Sequence, residues 1–437
     1  MFAYYLRLGL HSLRRNPLLT SLMVIAIGFG VAASMTTYAV LRATSNNPIP
    51  QKSSQLFVPQ IDNYGPAEAA ENGGEPPDLM SYTDAMALMQ AHRAKRQTAL
   101  YPIGVSIVPA DASRLPMQET SYATYADIFA MFDIPFLYGA GWSAEEDQAH
   151  ASVAVISRAL NDKLFQGANS VGRQIVVDNY SYRIVGVMDD WNPHPLFYDV
   201  RSNGAFADAT QLFIPFTRAV DLKIATNGAN LCATTSDQGW DAWLHSECVW
   251  IDYWVELPDK VSLSAYGDYL RGYAAEQQHA GRFQWPPNIR LRNVRDWLDY
   301  QHVVPPESKI SLLVSVGFLL ICLVNTVGLL LAKFMRRAPE IGVRRALGAS
   351  RSAIYTQFLV EAGTVGLAGG LLGILMTGVG MLGIGLVFDP QIARLATLDT
   401  SLMGLTLGVA VLATVLAAFY PTWRAAQVQP AWQLKSS

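Results

Sequence analysis

Four long stretches without a charged side chain interrupt an otherwise mixed pattern of apolar and polar residues. They run from Pro17 to Leu41, Ile310 to Ala332, Ala362 to Phe388 and Thr400 to Trp423, and are 25, 23, 27 and 24 residues long. A helix needs about 20 apolar residues, at about 1.5 Å of rise each, to cross the hydrocarbon core of a bilayer. Because core helices of soluble proteins are rarely so long and so free of charge, the pattern predicts four transmembrane helices.

The first apolar stretch follows a short basic lead, residues 1–16, which contains Arg7, Arg14 and Arg15. Secretory signal peptides also begin with basic residues, but their apolar region is only about 7–15 residues long. The lead places large apolar side chains opposite its arginines. We therefore expect an amphipathic helix at the membrane surface that leads into an uncleaved first span.

The charges outside the apolar stretches are unevenly distributed. Residues 1–16, 333–351 and 422–437 together carry eleven basic residues and one acidic residue, whereas the whole chain has a net charge of −3. Short cytoplasmic segments of membrane proteins carry an excess of Lys and Arg. Both termini and the 333–351 segment are therefore predicted to be cytoplasmic, with residues 42–309 and the loop before the fourth span outside.

These boundaries define the predicted organisation. It comprises a cytoplasmic amphipathic helix (1–16), span one (17–42), an outer domain (43–308), span two (309–333), a cytoplasmic connector (334–354), span three (355–388), a short outer loop (389–399), span four (400–422) and a cytoplasmic tail (423–437). The predicted fold class is an α-helical membrane protein with four transmembrane helices and an α+β outer domain.

The outer domain mixes strand and helix patterns. Gln55 to Ile61, Ser152 to Ile156 and Trp250 to Leu257 have the composition of strands, and Ser157 can cap a helix over Arg158 to Phe165. A strand–helix–strand pattern occurs early in the domain and again late.

This recurrence predicts one α/β subdomain that is split in sequence. Its two parts are residues 43–121 and 251–300, and residues 122–250 are predicted to form an inserted lobe. The net acidity of this region and its many aromatic residues do not suggest nucleic-acid binding.

Two of the three cysteines lie in the outer domain. Cys232 and Cys248 are 16 positions apart, and an oxidising compartment favours a disulfide between them, although two unpaired thiols are the alternative. Cys322 lies within span two and needs no special role. A metal site at Asp189, Asp190 and His194 is conceivable, but a single His beside two acids is more often ordinary surface, so no metal is predicted.

Recognisable catalytic and nucleotide-binding motifs are missing from the 437 residues. No G-x-x-x-x-G-K-[ST] loop and no HExxH motif occurs. The GVGMLG match at Gly378 lies in span three, where a dinucleotide site is not expected. The chain is thus predicted to be a non-catalytic membrane subunit without a cofactor of its own.

Polar and small residues inside the spans predict contacts between helices. Asn325 and Thr326 lie within span two, and an amide in hydrocarbon needs a partner, so we expect a bond to another helix. Glu361 begins span three and is expected to pair with an arginine of the connector. The small residues Gly366, Gly370 and Gly373, together with Gly369, allow close helix packing, in this chain or with a partner. The absence of a charge network across the spans argues against a secondary transporter.

The connector is strongly basic. Between Arg336 and Arg351 it carries five arginines and one acid, and Gly342 and Gly348 bracket a short helix. Arg344 and Arg345 can contact an acidic groove, while an apolar groove can accept Ile341, Val343 and Leu347. The alternative is that the arginines only fix the topology.

Five segments of the chain resemble a known family, the MacB/FtsX-type ABC transporter permeases. LRRNPLLTSLMVIAIGFGVA (Leu13 to Ala32), EIGVRRALGASRSAIYTQFLVEA (Glu340 to Ala362) and YPTWRAAQVQPAWQLK (Tyr420 to Lys435) are similar to its entry into span one, its connector and its tail. VAVISRALNDKLFQGANSVGRQI (Val153 to Ile175) and YRIVGVM (Tyr182 to Met188) resemble its periplasmic core.

The resemblance implies a multi-pass protein of the bacterial inner membrane, in contact with lipid, with a large periplasmic domain. It implies a second permease, identical or homologous, and a dimer of separate ABC ATPase subunits that bind ATP and Mg²⁺. A periplasmic adaptor and an outer-membrane channel are further partners of such systems. The residues implied in ATPase coupling are Glu340, Ile341, Gly342, Arg344, Arg345, Leu347, Gly348 and Ala349.

The function implied is mechanical transmission that exports or extrudes a peptide, an antibiotic or a lipidic compound from the periplasmic side. The alternatives are a lipoprotein-releasing permease and a signalling or scaffold subunit that transports nothing.

Overall fold

A computed structural model describes residues 17–109, 115–232, 239–384 and 396–427 of the chain. The predicted amphipathic helix (1–16), most of the predicted tail (423–437) and much of the predicted loop 389–399 lie outside these residues. The chain divides into a helical unit, within Met1–Ser45 and Val304–Ser437, and an α/β unit, Asn46–Val303.

The helices within the described residues are, in chain order, α1 (Pro17–Thr44), α2 (Pro66–Glu71), α3 (Tyr82–Ala91), α4 (Asp127–Met131), α5 (Ala144–Gln148), α6 (Arg158–Phe165), α7 (Phe216–Asp221), α8 (Trp240–Leu244), α9 (Lys260–His279), α10 (Val294–Tyr300), α11 (Pro306–Met335), α12 (Ala338–Ala346), α13 (Arg351–Ile384) and α14 (Thr400–Ala426). Of the helices in these ranges, α1, α11, α13 and α14 are long and apolar enough to cross a membrane. All four correspond to the apolar stretches of the sequence.

The third long helix begins earlier than its apolar stretch. Ser350 precedes it and accepts a hydrogen bond on Oγ from the backbone N–H of Ala353 at 3.1 Å, which satisfies a donor of the first turn. As a result α13 starts at Arg351, and its first three turns include the charged Arg351 and Glu361 as well as apolar residues. A charged residue limits where a helix can enter lipid but does not end the helix. The predicted start of span three at residue 355 therefore lies inside α13.

Close helix packing in the helical unit depends on small residues of α13. A Cβ atom at Gly366 would lie 2.9 Å from the Cα of Val411, and one at Gly370 would lie 2.9 Å from a methyl of Leu407, both in α14. Gly369 and Gly373 face α1 instead, where a Cβ at Gly369 would lie 2.8 Å from a methyl of Ile27. The glycines are therefore used in packing within this chain.

Hydroxyl groups join α1 to α11. Ser34 donates to the backbone carbonyl of Ser315 at 3.1 Å, and the hydroxyls of Thr37 and Ser315 lie 2.8 Å apart. Each hydroxyl also bonds within its own helix, so none of them is left without a partner in the bilayer.

The α/β unit is built on one sheet. Its strands are β1 (Leu56–Ile61), β2 (Met80–Ser81), β3 (Arg96–Ile103), β4 (Ser106–Val108), β5 (Met117–Gln118), β6 (Ser121–Thr124), β7 (Phe136–Gly139), β8 (Val153–Ser157), β9 (Gln174–Val177), β10 (Tyr180–Met188), β11 (Leu212–Pro215), β12 (Val249–Glu256) and β13 (Ile289–Asn293). The strand order is β13-β1-β12-β3-β6-β11-β8-β10-β9-β4-β5, with β2 beside β12 and β7 beside β10. The pairs β8–β10 and β6–β11 are parallel, and the remaining pairs along the order are antiparallel.

The sheet corrects the predicted division of this domain. Strands β1, β12 and β13 are neighbours, as a subdomain split in sequence requires. However, β4 and β5 belong to the predicted first part (43–121) and yet extend the sheet beyond β9, inside the predicted insertion (122–250). The sheet also continues without interruption from β3 to β6. The predicted lobe is therefore the second half of one sheet.

Strands β3 and β11 are buried on both faces, which explains why the sequence did not reveal them. Along β3, Ala99 and Tyr101 pack in one apolar cluster and Leu100 in the other. In β11, Phe213 likewise lies on the face opposite to that of its neighbours. A strand buried on both faces shows no apolar–polar alternation, so its periodicity gives no strand signal.

Candidate coupling site

The short helix α12 and the turn that follows it connect α11 to α13. Its N-terminal turn contains Pro339, whose missing N–H costs nothing there. The turn after α12 contains Gly348, which has a φ of +96°. The backbone N–H groups of Gly348 and Ala349 donate to the carbonyls of Arg345 and Arg344. Only glycine adopts this backbone conformation at little cost. The turn directs the chain back into α13.

A buried carboxylate lies at the centre of this corner. Glu361 of α13 has its Oε1 atom 2.9 Å from Nζ of Lys333, at the end of α11, and its Oε2 atom 2.9 Å from Nη1 of Arg337. The Lys333 and Glu361 side chains are 0% and 3% exposed. The connector arginine that meets Glu361 is thus Arg337, and Lys333 is a second partner that sequence reasoning missed.

A second set of contacts ties α12 to this carboxylate. Glu340 is paired with Arg337 at 3.3 Å and with Arg344 at 2.7 Å. Arg344 also donates to Oε1 of Gln357 in α13 at 3.0 Å. These bonds link both ends of α12 to α13.

The end of α14 is attached as well. Nη1 of Arg345 donates to the carbonyl of Ala426 at 3.3 Å. A cation is stabilised at a helix C-terminus, where backbone carbonyls lack intrahelical partners. Consequently α12 contacts the ends of two long helices.

The structure separates the predicted coupling residues into inward and outward groups. Ile341 is 4% exposed and packs in the apolar cluster that contains Phe334 and Phe358, and Gly342 is also buried. The prediction that Ile341 inserts into a partner's groove is therefore wrong, because the side chain fixes α12 to its own bundle. The outward residues are Val343, at 52% exposed, and Leu347, at 83%.

The two polar residues within α11 behave differently. Thr326 is buried and donates to the carbonyl of Cys322 at 2.8 Å. Asn325 is exposed on the outer side of the helix, and no side chain or backbone group among the described residues forms a hydrogen bond with its amide. Within the described ranges, the predicted bond from Asn325 to another helix is thus not found.

In the α/β unit, the sulfur atoms of Cys232 and Cys248 are bonded at 1.97 Å. The residues beside them, Leu231 and Val249, form an antiparallel backbone bridge. Of the residues considered as metal ligands, Asp189 lies 2.9 Å from Arg158 and is therefore engaged in an ion pair.

Comparison with known proteins identifies the class. The family described as the MacB-like periplasmic core domain matches residues 20–273, and the FtsX-like permease C-terminal family matches residues 312–430. The chain is a multi-pass membrane protein with an α/β domain inserted after its first span. It belongs to the MacB/FtsX-type family, whose members are permease subunits of ABC transporters.

Individual relatives are distant. The chain is 23% identical over 435 residues to the macrolide export ATP-binding/permease protein MacB of Azoarcus sp. (strain BH72), covering 98% of this chain and 59% of that protein. It is 23% identical over 427 residues to the pyoverdine export ATP-binding/permease protein PvdT of Pseudomonas fluorescens, covering 96% and 57%. The chain therefore spans somewhat more than half the length of these relatives.

Among solved structures, the periplasmic region of MacB from Actinobacillus actinomycetemcomitans matches with a TM-score of 0.36 and 11% identity, over 56% of this chain and 91% of that one.

Proposed function

We propose that this protein is the permease subunit of an ABC transporter of the mechanotransmission type, moved by an ATPase on a second polypeptide. The observation that carries the proposal is the surface of α12. Val343 and Leu347 are exposed, while Ile341 and Gly342 are buried on the opposite side of the same helix, and Arg344 donates to Gln357 of α13. An exposed apolar side chain on a short, anchored helix suits a groove on a soluble partner.

The charge distribution supports a cytoplasmic position for this helix. The excess of arginine around α12 favours the cytoplasmic side, and the acidic α/β domain would then lie in the periplasm. In this arrangement the protein is embedded in the inner membrane with both termini in the cytoplasm. ATP and Mg²⁺ would be bound by the ATPase dimer.

The cargo proposed is a peptide, an antibiotic or a lipidic compound, exported from the periplasmic side. The names of the relatives support this class, since two of them are described as exporters of macrolides and of pyoverdine. A second permease, a periplasmic adaptor and an outer-membrane channel complete the proposed assembly.

Substitution of the most exposed residue of α12 tests the proposal. Leu347→Glu introduces a charge where an apolar contact is expected, and Leu347→Met is the matched control that keeps size and polarity. Full burial of a leucine side chain is worth about 1.5–3 kcal/mol, so the charged variant should bind its co-expressed ABC ATPase about 10- to 100-fold more weakly. Co-purification and stimulation of ATP hydrolysis measure the effect. Binding by Leu347→Glu at the level of the wild type would remove α12 from the interface.

A further inference from the structure

Two adjoining cavities of the α/β domain are lined by residues of α3 and α7 and by the chain before α4. The first cavity has a volume of about 300 Å³ and the second about 520 Å³. They share Met86, Gln90, Tyr125 and Thr217 as lining residues, so they are parts of one cleft. Pockets that bind small molecules have volumes of about 300–1,000 Å³, and the cleft falls within this range.

The first cavity carries negative charge that the chain leaves unpaired. Asp127 of α4 and Asp147 of α5 both line it, and among the described residues no Lys or Arg does. Neither carboxylate forms an ion pair with a cation of these residues. Burial raises the pKa of the Asp147 carboxyl to about 6, hydrogen bonds from Ala126 and Trp142 lower it, and the charge of Asp127 raises it. Asp147 is therefore mainly ionised at pH 7, and a nearby cation would stabilise it.

An unpaired hydrogen-bond acceptor lies beside these carboxylates. Gln97 of β3 lines the first cavity, is 1% exposed, and donates its backbone N–H to Asp127 at 3.1 Å. Its Nε2 atom donates to the backbone carbonyls of Leu88 and Met89 at 3.0 and 2.6 Å, which fixes the orientation of the amide. Its Oε1 atom is buried and has no partner among the described residues. Because a buried acceptor without a donor is unfavourable, a donor brought by a ligand would stabilise this site.

The second cavity is aromatic, and its carboxylate already has a partner. Phe216, at the start of α7, stacks on Tyr125 and Tyr82, with ring centroids 5.1 and 6.3 Å apart. Asp221 also lines this cavity, but its Oδ2 atom lies 2.6 Å from Nδ1 of His150. The unpaired carboxylates thus belong to the first cavity, while the second offers aromatic surface to an apolar group.

We propose that this cleft binds a small organic cation, with its ammonium group at Asp147 and Gln97 and its apolar body against Tyr125 and Phe216. An ammonium group donates hydrogen bonds and accepts none, which matches a site made of carboxylates and an amide oxygen. The faces of aromatic rings also attract cations. An anionic ligand would be repelled by both carboxylates. This inference goes beyond the proposed function, and its test needs neither the ATPase nor transport.

Equilibrium dialysis of the full chain in phosphatidylcholine nanodiscs, with empty nanodiscs as the blank, tests the preference for a cation. Tryptamine, tryptophol and indole-3-acetate share an indole ring and carry a cationic, a neutral and an anionic side chain. Tryptamine should bind, and tryptophol should bind about 10- to 100-fold more weakly, because it lacks the charged hydrogen bond. Indole-3-acetate should bind more weakly still. Equal binding of the three compounds, or no binding of tryptamine, would overturn the proposal.

Substitution of the carboxylates locates the ammonium group. Asp147→Asn keeps the shape of the side chain and removes its charge, so it should weaken binding of tryptamine about 10-fold or more and leave binding of tryptophol unchanged. Asp127→Asn should act in the same direction. Glu145→Gln is the matched control, because Glu145 is an exposed acid of the same helix, α5, and is not among the residues that line the cleft. Equal weakening by Glu145→Gln would assign the effect to general surface charge and refute the site.

A blocking variant tests the cleft without removing a charge or a buried bond. Asp147 accepts hydrogen bonds from Trp142 and from the backbone of Ala126, and Ala144→Trp leaves both intact. Ala144 is exposed and lines the first cavity, so the larger side chain should reduce binding of tryptamine and tryptophol alike. Unchanged binding of tryptamine by Ala144→Trp and by both Asn variants would place the ligand elsewhere and overturn the proposal.

Discussion

Lys333 and Glu361 form an ion pair across two membrane-spanning helices, with Nζ and Oε1 2.9 Å apart and both side chains shielded from solvent. Nζ of Lys333 also lies 3.5 Å from the hydroxyl of Thr20, so the pair brings α1, α11 and α13 together at one end of the helical unit. Arg337 adds a second cation to the same carboxylate. The arrangement makes Glu361 the link between α13 and the α12 corner.

Removal of this carboxylate should destabilise the protein more than removal of either cation. Glu361→Gln leaves Lys333 without its anion and Arg337 with Glu340 alone, and breaking a buried pair costs about 3–5 kcal/mol. Lys333→Met leaves Glu361 paired with Arg337, so we expect a smaller loss. Thermal unfolding in detergent should therefore give a lower unfolding temperature for Glu361→Gln than for Lys333→Met.

The double variant Lys333→Met/Glu361→Gln provides the control, since it removes both members of the pair. It should be less destabilised than the sum of the single variants, because each single change leaves a charge unpaired. Strictly additive losses would show that Lys333 and Glu361 do not interact in solution.

Gly348 should be replaceable only by residues that tolerate a positive φ. Its backbone φ is +96°, and no atom of the described residues lies within 4 Å of an added Cβ, so strain and not collision opposes substitution. Gly348→Val should reduce stimulation of the ATPase while leaving expression unchanged, since it alters the turn between α12 and α13. Gly348→Asn should retain most of the coupling, because Asn enters the left-handed region more readily. Normal coupling by the Val variant would contradict this role of the turn.

Two glycines of α13 allow a matched test of helix packing. An added methyl at Gly366 would lie 2.9 Å from the Cα of Val411, whereas one at Gly378 would meet no described residue within 4 Å. Overpacking costs about 1–3 kcal/mol, so Gly366→Ala should lower the unfolding temperature. Gly378→Ala should leave it unchanged or raise it, because Ala is the better helix former. Equal effects of both substitutions would argue against close packing of α13 on α14.

The sequence alone was sufficient to predict those structural features that depend on the local pattern of residues. The spans were recognisable because length and absence of charge are properties of a segment, and α6 was predicted with its cap because Ser157 precedes it. The strands β3 and β11 were not recognised, since both of their faces are buried by elements far away in sequence.

In the candidate coupling site, too, local features could be predicted from the sequence, whereas contacts between helices could not. The basic connector and its terminal Gly348 were visible in the sequence. The prediction that Gly342 bounds the short helix at its other end is wrong, because Gly342 lies inside α12. The inward orientation of Ile341 was not visible, because it depends on contacts with Phe334 and Phe358 from two other helices. Lys333 could only be interpreted as a topological charge until α13 placed Glu361 beside it.

The disulfide between Cys232 and Cys248 should stabilise the α/β domain. Closing a loop of 16 residues lowers the entropy of the unfolded chain, which corresponds to about 3 kcal/mol. The Cys232→Ala/Cys248→Ala variant should therefore unfold at a lower temperature, and a reductant should no longer affect it. Cys322→Ala, which lies outside the pair, is the control and should keep the sensitivity of the wild type to reductant. A wild type insensitive to reductant would contradict the stabilising role.

Asp252, in β12, should make the stability of the α/β domain depend on pH. The residue is buried, its Oδ2 atom has no hydrogen-bond partner among the described residues, and burial raises the pKa of its carboxyl well above the usual 3.8. Asp199 and Asp78 raise this pKa further, while Arg201 opposes them. Desolvation is the main cause, because a low-dielectric interior disfavours the charged form.

The sign of the effect follows from which state holds the proton. Above pH 3.8 the unfolded chain releases the proton of Asp252 while the folded domain retains it, so the folded state binds more protons and stability decreases as pH rises until the folded pKa is passed. Asp252→Asn, which has nearly the same shape and no charge, should remove this contribution and stabilise the domain most at the upper end of that range. Thermal unfolding of the wild type and the variant from pH 4 upward measures the difference. If the two unfolding curves shift in parallel with pH, the Asp252 carboxyl is not the group that releases the proton on unfolding.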